Sequence, residues 1–258
     1  MRNNLIIVEY DGSEFHGWQI QPNARTVQGE LESALSIVCN EKISINGTSR
    51  TDAGVHAYGQ AASFTGDFGI PTDRIAIAAN NILKDVKIVN VEEKPLGFHA
   101  RFDAKGKTYL YRIEISDTPD IFQRNYRYQL IEQPDTSNII EAASFIVGTH
   151  DFAAFRSAGG NETETTIRTI TGINVHQFDA FDSRGRQKKE LEIRVTGDGF
   201  LYNMVRIIVG TLVDVGYGKI PPSEVEKILL IGKRESAGHT APASGLYLER
   251  IYWDELRG

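Results

Sequence analysis

The sequence predicts an α+β protein with two halves, each built around a mainly antiparallel sheet. Short runs of β-branched and aromatic residues alternate with segments of helical periodicity along the whole chain. The 258 residues exceed one typical domain, and a new series of elements begins near residue 104. We therefore expect an N-terminal α+β domain over residues 1–103 and a C-terminal α+β domain over residues 104–258.

The first half is predicted to follow the order β-α-β-β-α-β, which is typical of antiparallel α+β units. The strands are expected at Leu5–Tyr10, around Ile43 and Ile45, at Ala57–Thr65 and at Val86–Val91. One face of the segment 27–39 is apolar and predicts a helix, with Val27, Leu31, Ala34, Leu35 and Val38 on that face. Pro71 and Thr72 begin a second helix, which is expected to carry Ile75, Ile77, Ala78 and Ile82.

The second half begins with the clearest strand of the protein, Lys107–Ile115, because Tyr109, Tyr111, Ile113 and Ile115 share one face. Further strands are expected at Ile167–Val175, Lys189–Val195 and Leu246–Trp253, with a polar turn at Asp182–Gln187. Helices are expected at Ser137–Val147, at Leu201–Val215 and from Pro221, Pro222 and Ser223 onward.

Composition excludes several classes of protein. The net charge is −6 and neither half is net basic, so a nucleic acid would be bound by a local patch of charge. The single cysteine, Cys39, excludes an internal disulfide and a cysteine-rich zinc site, and the six histidines lack metal-ligand spacing. We expect a cytoplasmic protein, because no apolar run approaches the length of a membrane span or a signal peptide.

The densest group of reactive side chains lies between two strand candidates, in residues 47–57. Arg50, Asp52 and His56 fall within seven positions, and glycines flank them. Asp52 is the only carboxylate between Glu41 and Asp67. It can act as a nucleophile or general base, or it can simply accept backbone hydrogen bonds that stabilise the turn.

Arg206 is the only charged residue in the hydrophobic segment 199–213. A helix that is apolar on nearly all sides is usually buried, and a buried guanidinium needs an anionic partner. That partner can be a structural carboxylate, a reactive carboxylate such as Asp52, or an RNA phosphate.

Two further groups have both a structural and a functional interpretation. Tyr109 and Tyr111 can pack in the core, which we expect for Tyr111, whereas a tyrosine that opens on a cleft can stack on a base. The basic segment Arg184–Lys189 can be a solvated turn or can contact phosphates.

Several segments together resemble the tRNA pseudouridine synthase A family. The segment 50–57 (RTDAGVHA) resembles its catalytic loop, and residues 10–12 (YDG) with 15–19 (FHGWQ) resemble its opening motif. The remaining matching segments are 98–102 (FHARF), 107–111 (KTYLY), 148–152 (GTHDF), 200–206 (FLYNMVR) and 245–248 (GLYL). They follow the family order over nearly the whole chain. Ser49 and Asn203 depart from the residues that many members carry there, which are Gly and His.

The resemblance implies a fold, an activity and a set of roles. Each half would be an RRM-like or ferredoxin-like unit, and the two sheets would join across a central cleft. The enzyme would be a homodimer that isomerises uridines 38, 39 and 40 in the anticodon stem-loop of tRNA, without a metal or organic cofactor. Asp52 would be the nucleophile, and Tyr109 would pack on the uracil and could exchange a proton. Arg50 and Arg206 would hold the flipped nucleotide and pair with Asp52.

Two other functions fit parts of the sequence. A non-catalytic RNA-binding protein would explain the RRM-like pattern and the lack of a net positive charge. A carboxylate-based glycosidase would explain Asp52, but it needs a second carboxylate for acid catalysis, and the loop supplies none nearby.

Overall fold

The computed structural model describes residues 1–159, 163–254 and 256, and the chain divides into two compact units. Unit 1 contains Met1–Lys105 and Tyr247–Asp254, and unit 2 contains Gly106–Leu246 and Leu256. Each unit combines helices with a mainly antiparallel sheet, so the predicted α+β class is confirmed. Among the described residues, none of the helices has the length and apolar character needed to span a membrane. The division into domains 1–103 and 104–258 stays a prediction.

The regular elements follow one another along the chain as β1 (Arg2–Tyr10), α1 (Val27–Cys39), β2 (Asn46–Gly47), β3 (His56–Gly66), α2 (Thr72–Asn80), β4 (Val86–Lys94), α3 (Ala100–Asp103), β5 (Gly106–Ile115), β6 (Tyr128–Leu130), α4 (Thr136–Ile146), β7 (Gly148–Asp151), β8 (Ile167–Phe181), β9 (Gln187–Gly197), α5 (Met204–Gly216), α6 (Glu224–Ile231) and β10 (Leu246–Tyr252).

The sheet of unit 1 has the strand order β4-β1-β3-β10. The pairings of β1 with β3 and β4 are antiparallel, β10 runs parallel to β3, and β2 is a short antiparallel neighbour of β3. The apolar residues of this sheet and of helices α1 and α2 form the core, including the fully buried Ile6, Leu31, Leu35, Ile75 and Ile88. Strand β10, near the end of the chain, therefore belongs to the same sheet as β1.

Two expectations for the first half were wrong in detail. In α2 the buried residues are Ile75 and Ala79, which are four positions apart, whereas Ile77 is 58% exposed. Residues two apart on a helix point in nearly opposite directions, so Ile75 and Ile77 cannot share a face. The prediction that this helix carries Ile82 is wrong, because α2 ends at Asn80. Ile82 lies beyond the helix and is 42% exposed.

The expected strand around Ile43 and Ile45 is the second difference. Both side chains are buried, but their backbone N–H groups donate to the side chains of Ser36 (2.9 Å) and Glu32 (3.0 Å) on α1. Those bonds replace strand pairing, and the observed strand β2 begins only at Asn46.

The sheet of unit 2 has the order β5-β9-β8-β7, with antiparallel pairing throughout, and β6 lies parallel to β5. Every residue of α5 except Arg206 is buried, which confirms that this apolar helix belongs to the core. The hairpin formed by β8 and β9 extends beyond its predicted ends, and the short strands β6 and β7 were not predicted. Lys188 of the basic segment is buried and pairs with Glu114 and Glu190, so it is not a surface cation.

Candidate active site

The loop that carries Asp52 joins β2 to β3 and is anchored at its start and closed at its end. Thr48 N–H donates to the Ala61 carbonyl (2.8 Å), and the Gln60 amide donates to the Ser49 carbonyl (2.7 Å). At the other end, Val55 N–H donates to the Asp52 carbonyl (3.1 Å), and Gly54 adopts a φ of +78°. These bonds keep Asp52 at a defined position on a rigid turn.

The loop after β1 packs against the Asp52 loop and holds it from the other side. Trp18 N–H donates to the Thr51 carbonyl (3.0 Å), Gly54 N–H donates to the Phe15 carbonyl (3.4 Å), and the Tyr10 hydroxyl lies 2.7 Å from Thr51 Oγ1. Both segments stand out in the sequence, whereas the contact between them is visible only in the fold.

Two glycines permit the close approach of these loops. A Cβ on Gly12 would overlap the Val55 carbonyl, and a Cβ on Gly17 would lie 2.6 Å from the Thr51 carbonyl oxygen. Gly17 also has a φ of +85°, which side chains other than that of glycine rarely adopt.

The three polar residues of the loop have different environments. Asp52 is half-buried and Arg50 is exposed, so both can reach solvent or a ligand. His56 is buried: its Nδ1 accepts from Gly12 N–H (3.0 Å), and its ring stacks on Tyr247 with centroids 4.7 Å apart. We therefore assign His56 to the support of the loop.

In unit 2, Tyr109 lies on β5 with 6% of its surface exposed. Its ring meets Phe200 edge-on, with centroids 5.0 Å apart. Tyr111, two positions along the same face, is fully buried and donates its hydroxyl to the Pro242 carbonyl (2.7 Å). Burial raises the pKa of the Tyr111 phenol well above its usual range, and the Arg206 charge opposes that shift. The expectation that Tyr111 is a core residue is confirmed.

Arg206 lies in the first turn of α5 and is half-buried, whereas the apolar segment around it predicted a buried arginine. Its Nε donates to the Ala241 carbonyl (2.7 Å), and its Nη1 donates to Asn203 Oδ1 (2.8 Å). Asn203 precedes the helix with a φ of +61°, a conformation that Asn tolerates better than most residues. The planar guanidinium is thus oriented by two acceptors in different directions.

The segment Gly238–Pro242, here called the strap, was not identified from the sequence. Ala241 N–H donates to the Arg206 carbonyl (3.1 Å), and His239 Nδ1 lies 2.9 Å from Asp214 Oδ2 on the same helix. A Cβ on Gly210 would overlap the His239 carbonyl, so this glycine lets the strap lie directly on α5. The strap therefore fixes the acceptor that orients Arg206.

The predicted residues are accordingly distributed over both units. Arg50 and Asp52 share one loop of unit 1, whereas Tyr109 and Arg206 lie in unit 2. Within the described residues, no group of three or more His, Cys, Asp or Glu side chains has an arrangement that could hold a metal ion. The roles assigned to these four residues stay predictions.

Comparison with known proteins identifies the family. A family model described as tRNA pseudouridine synthase matches residues 6–103 and 142–254. The tRNA pseudouridine synthase A of Acetivibrio thermocellus is 46% identical over 254 residues, which cover 98% of this chain and 100% of that protein. The proteins of the same name from Ruminiclostridium cellulolyticum (45% identical; 98% and 100% covered) and Bacillus subtilis (42%; 96% and 97%) are similar over nearly their full lengths. The chain therefore belongs to the tRNA pseudouridine synthase family.

Proposed function

We propose that this protein converts uridine to pseudouridine at positions 38, 39 and 40 of the tRNA anticodon stem-loop, with Asp52 as the nucleophile. The observation that carries the proposal is the loop of Asp52, a half-buried carboxylate on a doubly anchored turn in a chain of this family. Rigid placement of a nucleophile lowers the entropic part of the activation barrier.

The reaction is an isomerisation, so its atoms balance without a second substrate. The bond between C1′ and N1 of the uridine breaks, the uracil rotates, and a new bond joins C1′ to C5. The proton on C5 then leaves, and N1 ends with a proton. Asp52 forms a transient bond to the substrate at C1′ or at C6, or assists departure of the base as a general base, and is regenerated at the end. No metal or organic cofactor is required by this scheme.

The other three residues act on the nucleotide after it leaves the helical stack. Flipping a base out costs a few kcal/mol, which aromatic stacking and arginine contacts offset. We assign stacking on the uracil to Tyr109 and contacts with the flipped nucleotide to Arg50 and Arg206. We further propose that the enzyme works as a homodimer in the cytoplasm.

Replacement of the nucleophile tests the proposal. We expect Asp52→Asn to reduce tritium release from C5-labelled uridine in tRNA by about a thousandfold or more, because the amide cannot form the covalent intermediate. Affinity for tRNA should change little, since the side chain keeps its size. Asp73→Asn, at an exposed position of α2, is the matched control.

The position of the product is tested separately. Transcripts that carry a single uridine at position 38, 39 or 40 should each acquire pseudouridine at that nucleotide. Wild-type turnover by the Asp52→Asn variant would show that Asp52 is not the nucleophile. Full tRNA affinity without pseudouridine in any transcript would indicate a non-catalytic RNA-binding protein.

A further inference from the structure

The short helix α3 presents an aromatic and cationic group to solvent. Phe102 is 73% exposed, and its ring lies against the His99 ring with centroids 4.4 Å apart. The Arg101 guanidinium carbon lies 5.8 Å from the centre of the same ring. We call His99, Arg101 and Phe102 the α3 cluster.

The backbone of the α3 cluster is fixed by reciprocal bonds at the start of the helix. His99 Nδ1 accepts from Arg101 N–H (3.2 Å), while Asp103 Oδ2 accepts from His99 N–H (2.7 Å). The Asp103 carboxylate is thereby engaged at the helix start. Phe102 N–H donates to the His99 carbonyl (3.0 Å), so the exposed ring is presented by a hydrogen-bonded helical turn.

Two hydrogen bonds attach α3 to the elements that carry Asp52. Thr48 Oγ1, at the start of the Asp52 loop, donates to the Ala100 carbonyl (3.3 Å). Ala100 N–H donates to Ser63 Oγ on β3, the strand that follows the loop (3.0 Å). Ala100 itself is fully buried. The α3 cluster therefore has a defined position relative to the loop within unit 1.

An exposed aromatic ring beside cationic or ionisable groups is suited to bind an unpaired nucleobase. Every base has a flat π face that stacks on an aromatic side chain, and nearby guanidinium groups attract the adjoining phosphate. Arg50, on the attached loop, is a further exposed cation in this unit. The acidic composition of the protein makes such a local arrangement more important for holding RNA.

We propose that Phe102 is a second base-stacking site, which binds an unpaired nucleobase of the RNA substrate other than the reacting uridine. Arg101 contacts the phosphate next to that base, and His99 supports the opposite side of the Phe102 ring. The site rests on the proposed function, since it serves the same RNA. It acts in binding and positioning, and it takes no part in bond making or breaking.

Three variants of Phe102 and one control variant test the stacking. Phe102→Ala should weaken tRNA binding and raise KM by about tenfold, with kcat within about twofold of wild type, because one base stack is lost. Phe102→Trp should restore binding, whereas Phe102→Leu, which is apolar but not aromatic, should not. The control is Ile77→Ala, which removes an exposed apolar side chain from α2 in the same unit.

A crosslinking experiment identifies the nucleotide. Transcripts with 4-thiouridine at single positions of the anticodon stem-loop should crosslink to the peptide that contains Phe102 at a position other than the reacting uridine. The Phe102→Ala variant should lose that crosslink and retain the one to the peptide that contains Asp52.

Three results would overturn the proposal. The first is wild-type tRNA affinity of Phe102→Ala, and the second is full rescue of binding by Phe102→Leu. The third is dissociation of a dimer by Phe102→Ala, measured by sedimentation, at unchanged tRNA affinity per chain. That third result would assign the ring to contact with a second copy of the chain. Failure of the proposed function is distinguishable, because tRNA affinity and crosslinking are measured without turnover.

Discussion

At the scale of single residues, the orientation of the Arg206 guanidinium matters as well as its positive charge. Its guanidinium donates to Ala241 through Nε and to Asn203 through Nη1, two acceptors that a single ammonium group cannot reproduce in the same directions. The contact with the flipped nucleotide that we assign to this guanidinium stays a prediction.

We expect Arg206→Lys to lower kcat by about tenfold or more, because the positive charge is kept but the planar fork is lost. Single-turnover kinetics with saturating enzyme would measure the effect, and circular dichroism would show that the fold is intact. Arg124→Lys, at an exposed arginine that donates to the Ile121 carbonyl, is the control. Unchanged turnover of Arg206→Lys would reduce this contact to a structural one.

At the scale of elements, the turn between β8 and β9 is built around one carboxylate. Asp182 Oδ1 accepts from the N–H groups of Arg184 and Arg186 (both 2.8 Å), and Oδ2 accepts from Arg186 Nε (2.6 Å). Burial raises the pKa of Asp182, but the bonds from Arg186 and Arg184 lower it more, to about 2. Within the segment Arg184–Lys189, Arg186 therefore pairs closely with Asp182, and Arg184 Nε lies 3.8 Å from the same carboxylate. Contact of this segment with phosphates stays a prediction.

The lowered pKa makes the stability of this turn depend on pH. The folded-state pKa of Asp182 lies below its usual value of 3.8, so its stabilisation is present above about pH 4 and disappears as the pH falls toward 2. We expect Asp182→Asn to be less stable than wild type at pH 6, and the difference between the two proteins to shrink as the pH falls from 4 to 2. Urea unfolding at several pH values would measure it, with the exposed Asp179→Asn as control. A difference independent of pH would contradict the assignment.

The helices differ in how well their sequences predicted them. The bounds of α1 agree with the prediction, because Thr26 caps its first turn and Asn40 ends it in the left-handed conformation. The start of α5 lies three residues later than predicted, since Asn203 adopts a positive φ just before it. A cap residue marks a helix end in the sequence itself. The sequence does not show which of several backbone conformations Asn203 adopts, so it does not show where α5 begins.

At the scale of the whole molecule, the end of the chain returns to support its beginning. Tyr247 on β10 pairs with His56 on β3, and its ring stacks on both His56 (4.7 Å between centroids) and Tyr58 (4.8 Å). A Cβ on Gly59 would lie 2.6 Å from the Glu249 carbonyl, so the two strands approach closely. The strand that follows the Asp52 loop is thus held by residues almost 200 positions away.

We expect Tyr247→Ala to lower the free energy of unfolding by about 3 kcal/mol, because a buried aromatic ring and two stacking contacts are lost. Turnover should fall as well, since His56 supports the Asp52 loop. Tyr247→Phe keeps the ring and is the control. Urea unfolding would measure both variants, and a loss below about 0.5 kcal/mol would show that β10 does not support the loop.

The family and the isomerase class that the resemblance implied are confirmed by similarity over nearly the whole chain. The modified positions, the homodimer, the cytoplasmic location and the roles of Asp52, Arg50, Tyr109 and Arg206 stay predictions, each with a measurement that can decide it.

The order of most elements, the alternation of β5 and the position of the Asp52 loop could be predicted from the amino-acid sequence. These features depend on neighbouring residues, through periodicity, caps and turn-forming glycines. Three features could not be predicted in this way: the support of the Asp52 loop by the loop of Trp18, the orientation of Arg206 by the strap, and the exposure of Phe102. Each of these depends on which distant segments pack together, a choice made by the free energy of the whole folded chain and not by local conformational preference.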